Sequence, residues 1–254
     1  MSQARSAPGT TALPWVIPGA IALAWLVAVG AQLLGVAEAV HHDSLIEGQL
    51  PLWAALALFV LAWQSMTAAM MVPSSLPMIR LFHATARAQP DRGMVTALFL
   101  GAYGVVWAGF GVAAFLADAA LHRFTEAAPW LETRPWIVPA FVLALAGGFQ
   151  FSSLKERCLR ECRHPGPFLL QHYRRGKRAA FELGLRHGVF CLGCCWALML
   201  VMVAVGAANL TWMALLTAVM VYEKTGRLSA EVGRAVGFGL LFVAGVVALT
   251  QSGL

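Results

Sequence analysis

The stretch Gly188–Tyr222, GVFCLGCCWALMLVMVAVGAANLTWMALLTAVMVY, runs for 35 residues without an Asp, Glu, Lys or Arg. As a single helix at 1.5 Å per residue it would be about 52 Å long, well beyond the roughly 30 Å hydrocarbon core of a bilayer. Gly206-Ala207-Ala208-Asn209 interrupts it with residues that favour a turn. The run reads as two membrane spans joined by a tight hairpin.

The same reading extends along the chain. Of 254 residues, 59% are hydrophobic and 12% charged, half the charge of an average soluble domain, about 25%. The strict alternation of an outer-membrane strand is absent, and a helix satisfies its own backbone in lipid. Apolar runs between charged loops place spans at roughly 15–37, 52–72, 94–117, 136–153, 186–206, 209–222 and 232–250. The expected fold is all-α: a polytopic transmembrane bundle of about seven spans, forming a single integral membrane domain over 1–254. A basic cytoplasmic segment, 154–187, follows the fourth span. The first run, Leu13–Ala37, is too long for the apolar core of a signal peptide, and only Arg5 precedes it, although Ala37-Glu38-Ala39 resembles a cleavage site. It is read as a span.

Charge orients the bundle. With a cytoplasmic N-terminus, sixteen Lys and Arg lie inside and two, Arg123 and Arg134, outside. Merging the fifth and sixth spans would leave thirteen against five, so the positive-inside rule prefers the hairpin and seven spans. The net charge of +6 is thus a topology signal and does not point to nucleic acid. Arg174-Arg175-Gly176-Lys177-Arg178 belongs at the anionic inner leaflet. Gly104, Ala108, Gly109 and Gly111 on the third span are expected to let helices approach closely.

All five cysteines lie between Cys158 and Cys195, as Cys158-x3-Cys162 and Cys191-x2-Cys194-Cys195. Both groups fall at the cytoplasmic face, where thiols stay reduced. Short-spaced thiols serve a soft-metal or thiol-redox site rather than a disulfide framework. Residues four apart on a helix share a face. His187, Cys191, Cys195, Met199 and Met202 therefore form one stripe. On the second span Met66 and Met70 share a face, with Met71 adjacent and Met78 beyond the helix-breaking Pro73 and Pro77. Thiolate and thioether together select Cu(I); zinc and iron–sulfur clusters are the alternatives and have little use for methionine. The candidate metal ligands are Cys158, Cys162, Cys191, Cys194, Cys195, His187, Met66, Met70 and Met199. Against them stands plain packing, the usual role of a buried methionine or cysteine.

Elsewhere, His41-His42-Asp43 and Glu47 could serve as an entry site in the first outward loop, although a solvated loop explains them too. Gln64, Gln150 and Glu223 are polar residues at or inside spans, and such residues are functional candidates. No nucleophile elbow, phosphate loop or His-Glu-x-x-His helix is present, which favours a non-enzyme.

The residues Met70-Met71-Val72-Pro73 with Pro77, Leu154-Lys155 leading to Cys158 and Cys162, Gly184-Leu185-Arg186-His187-Gly188 leading into Cys191-Leu192-Gly193-Cys194-Cys195-Trp196-Ala197-Leu198-Met199, and Glu223-Lys224 carry a resemblance. They resemble a bacterial family described as predicted metal-binding integral membrane proteins, some labelled copper chaperones. Ser153 stands where that pattern has proline. The resemblance covers roughly Trp53 to Lys224 and implies a multi-pass inner-membrane protein tied to copper. Copper transport, chaperoning or delivery to a cuproenzyme is the leading reading, with a metal-donor or metal-acceptor protein as partner. The alternatives are a membrane thiol oxidoreductase using Cys191 and Cys194, and a helical scaffold subunit of a membrane complex.

Overall fold

The computed structural model describes residues 15–35, 45, 50–205 and 209–251, and every element among them is a helix. In chain order these are α1 (Val16–Leu33), α2 (Leu52–Thr85), α3 (Arg92–Ala127), α4 (Pro129–Glu132), α5 (Ile137–Phe149), α6 (Ser153–Arg163), α7 (Pro165–His172), α8 (Lys177–Val205), α9 (Leu210–Thr225) and α10 (Ser229–Gln251), with a single 3₁₀ turn at Ala86–Ala88. His41, His42, Asp43 and Glu47 lie outside the described residues, as do Gly206, Ala207 and Ala208 of the expected hairpin. Asn209 is described, and its side chain accepts a bond from Trp212 N at 3.2 Å to cap α9.

Each expected apolar run carries a helix, but boundaries move: α3 runs on to Ala127, α8 begins at Lys177, and two further changes alter the path of the chain. Pro73 and Pro77 were expected to end the second span; instead α2 continues through both to Thr85. Proline lacks the N–H that would bond the carbonyl four residues back, so Pro73 frees the carbonyl of Ala69. Trp25 Nε1 on α1 donates to that carbonyl at 3.1 Å, supplying the missing partner from another helix. The second change is at the fourth span, which does not run on as one helix into the cysteines. The chain breaks after Phe149 and restarts as α6, bent by 64°. Ser152 Oγ accepts from Lys155 N at 3.1 Å, an N-cap. Ser153 is the first helical residue, the position that best tolerates proline, so its departure from the family pattern costs the helix little.

Cysteine helix α8 sits at the centre, packed on α3, α5, α6 and α9. Glycines make that possible, two of them on α8 and outside the expected set. A Cβ on Gly184 would run into the carbonyl of Phe99 and reach Ala102 Cβ at 2.9 Å, and one on Gly188 would meet Val106 Cγ2 at 2.9 Å. On α3, Gly111 lies under the indole of Trp63, and Gly104 accepts Gln64 Nε2 at 3.2 Å. Gly109 has nothing near its missing side chain and serves no close approach.

An ion pair locks α6 to α9: Lys155 Nζ donates to both carboxylate oxygens of Glu223, at 2.9 and 2.7 Å, with both side chains buried. Outward, the bundle presents apolar side chains such as Leu26, Leu61, Phe141 and Phe242. Among the described residues, five helices are long and apolar enough to cross a membrane, and the bent pair α5–α6 would make a sixth. At 16 residues, α9 is shorter than these.

Two outcomes follow for stability in detergent. Gly184→Ala should lose about 1–3 kcal/mol by overpacking, whereas Gly109→Ala should be neutral or gain up to about 1 kcal/mol from helix propensity. Glu223→Gln should lose about 3–5 kcal/mol by stranding Lys155, and the double change Lys155→Met with Glu223→Leu should recover most of it. Unfolding followed by circular dichroism reads both.

Candidate metal centre

Helical spacing on α8 puts His187, Cys191, Cys195 and Met199 on one buried face, and the central position of α8 surrounds that face with protein. Cys191 is the node. Its Sγ lies 3.1 Å from Tyr103 OH on α3, 3.1 Å from Lys224 Nζ on α9 and 3.9 Å from Ser75 Oγ on α2. Cys162, on α6, and Cys194 and Cys195 are buried in the same core as Cys191. The two cysteine groups, separated in sequence by α7 and half of α8, thus meet in one place.

Cys158 completes the approach from α6. A Cβ on Gly193 would stand 2.5 Å from Cys158 Sγ, so the sulfur occupies space that only glycine leaves open on α8. On the far side, Cys195 Sγ contacts Met71 Sδ at 3.6 Å. Met66, Met70 and Met199 are buried in the same core as the cysteines, but the sulfur contact is made by Met71, a neighbour of the expected ligand. His187 is sandwiched between Phe99 and Tyr103, ring centroids at 5.8 and 5.6 Å, with Phe168 edge-on. Its Nε2 is buried with no hydrogen-bond partner.

One buried cation faces this cluster. Lys224 Nζ donates to Ser74 Oγ at 2.8 Å as well as to Cys191 Sγ. It supplies positive charge where several sulfurs could carry negative charge. Its neighbour Glu223 is directed to Lys155, so the carboxylate is taken and the chemistry left at the cluster is soft: thiol, thioether and imidazole. That donor set suits Cu(I).

All five cysteines are free thiols. Among the described residues, no group of three or more His, Cys, Asp or Glu is gathered around one metal-sized point. Hydrogen bonding accounts for this: Cys194 and Cys195 both donate to the carbonyl of Cys191, at 3.1 and 2.8 Å, which turns their sulfurs along the helix.

Sequence reasoning missed Met71, Ser74, Ser75, Tyr103 and Lys224 as members of the site. Lys224 carried the one available signal, a charge at the end of an apolar run; the others are ordinary residues until the helices are packed.

Neither a curated protein nor a solved structure matches the chain. A family model described as copper chaperone matches residues 60–247, which include all five cysteines, Met71, Tyr103 and Lys224. With about three quarters of its length matched and a soft-donor cluster at its centre, the chain belongs to the PpoB2 copper chaperone family, and its role lies in copper handling.

Proposed function

We propose that the chain holds Cu(I) among Cys162, Cys191, Cys194 and Cys195, with Cys158, Met71 and His187 at the margin of the site. Met66, Met70 and Met199 line the way to it. The observation that carries this reading is the packing of both cysteine groups into one buried core, with Cys158 Sγ set against Gly193 and Lys224 Nζ 3.1 Å from Cys191 Sγ. Two thiolates on Cu(I) make a unit of net charge −1, which is costly to bury unless paired. Lys224 provides the countercharge. Cys191, Cys194 and Cys195 are no more than 1% exposed, which favours a held ion over disulfide exchange with a partner, since exchange needs access to the sulfur. Zinc or an iron–sulfur cluster would leave the Met71 thioether without a role.

In this reading the protein sits in the bacterial inner membrane with seven spans and a cytoplasmic N-terminus, and it receives copper from, or passes it to, another protein. The sixteen-to-two distribution of Lys and Arg supports this arrangement. Although α9 is short, about 24 Å at 1.5 Å per residue, a bilayer can thin locally around it. A reporter fused after Gln89 or Gly176 should read as cytoplasmic, and one after Leu254 as periplasmic. A cytoplasmic reading at Leu254 would reduce the count to six.

The site is tested by anaerobic Cu(I) loading of purified protein followed by metal analysis. Cys158→Ser with Cys162→Ser should lower copper content as much as Cys191→Ser with Cys194→Ser. Lys224→Met should weaken retention on the order of tenfold, the scale of a charged hydrogen bond, while Lys224→Arg retains most of it. Met71→Leu, which conserves volume, should reduce loading more than Met66→Leu. Unchanged copper in the Cys158/Cys162 variant would sink the shared site.

A further inference from the structure

Glu223 and Lys224 point to different places, Lys224 into the thiols and Glu223 toward a cavity on the other flank of α6. That cavity, about 470 Å³, lies between the end of α5, α6, α9 and the start of α10. It has the size of a small-molecule site and is larger than a bare inorganic anion needs. Its wall includes Gln150, 8% exposed, whose amide nitrogen and oxygen are both buried without a hydrogen-bond partner. A buried polar group left unpaired costs about 1–3 kcal/mol, and this side chain leaves two. What pairs with a donor and an acceptor side by side is another amide.

Charge defines the rest of the ligand. The Lys155 ammonium is already held by Glu223. Arg160 and Arg163 remain on the lining with Arg234, whose Nη2 stands 4.0 Å from Glu231, and Glu156 is the lining's other carboxylate. Two of the arginines are anchored by backbone: Arg163 Nη2 donates to Gly226 O at 2.9 Å and Arg234 Nε to Ala230 O at 3.4 Å. Guanidinium groups fixed in this way match carboxylates in bidentate pairs. Gly233 faces the same recess: a Cβ there would make ordinary contact with Glu223 Oε1 at 3.4 Å and Gln150 Oε1 at 3.9 Å.

We propose that this cavity is a second binding site, for a small acidic peptide whose amide pairs with Gln150 and whose carboxylates meet the arginines. The site stands apart from the copper reading and requires no metal.

The test uses the full chain in detergent, free of copper, and S-methylglutathione, whose blocked sulfur cannot engage the cysteines. Equilibrium dialysis should show saturable binding, unchanged by Cys191→Ser. Gln150→Leu should weaken it about tenfold, as expected for lost buried hydrogen bonds, and Arg160→Gln several-fold. Arg160 is exposed, so that variant keeps the test open if Gln150→Leu fails to fold. Absence of saturable binding, equal binding by both variants, or displacement by glycerol phosphate at the same concentration would overturn the proposal; the last result would assign the cavity to a lipid headgroup.

Discussion

Two opposite charges in succession near the end of an apolar helix constrain everything around them. Glu223 and Lys224 are both buried, and adjacent residues on a helix diverge by about 100°. Neither can turn outward to lipid, and each unpaired ion would cost several kcal/mol. They must therefore find partners in different directions. Glu223 takes Lys155 and so fixes α6 against α9; Lys224 takes Ser74 on α2 and Cys191 on α8. The helices that carry the cysteines and Met71 are drawn to a common depth by this one dipeptide.

That arrangement relies on two permissive features of the packing. Ser74 and Ser75 follow Pro73, so they reach the site only because α2 stays helical past the proline, with the freed carbonyl of Ala69 bonded to Trp25. Helix α8 reaches the middle of the bundle only because Gly184 and Gly188 let α3 lie against it and Gly193 admits Cys158. A soft-donor cluster and a buried ammonium then share one dry space. Low local polarity strengthens each of their interactions.

A chaperone must release what it holds. In the proposed site the thiols of Cys194 and Cys195 have the Cys191 carbonyl to bond when no metal is present, and Lys224 keeps Ser74 as a second acceptor. Without metal, the Cys194 and Cys195 thiols and the Lys224 ammonium therefore keep partners.

The all-helical bundle, the positions of its long apolar helices and the clustering of the cysteines in the chain were legible in the sequence, because hydrophobic length and i, i+4 spacing are local properties. The stripe from His187 to Met199 followed from helical phase alone and lies buried as expected. What the chain could not show by itself was which residues meet across helices. Met71 rather than Met70 touches Cys195, since one residue along a helix changes the facing direction by about 100° and only the packing fixes that direction. The course of α2 through Pro73 depended on a hydrogen bond donated from another helix, 44 residues away in sequence. Lys224 was visible as a charge, but its role required knowing what lay opposite. Local periodicity determined the elements; the need to pair buried charges and to fit helices together through glycine decided the site.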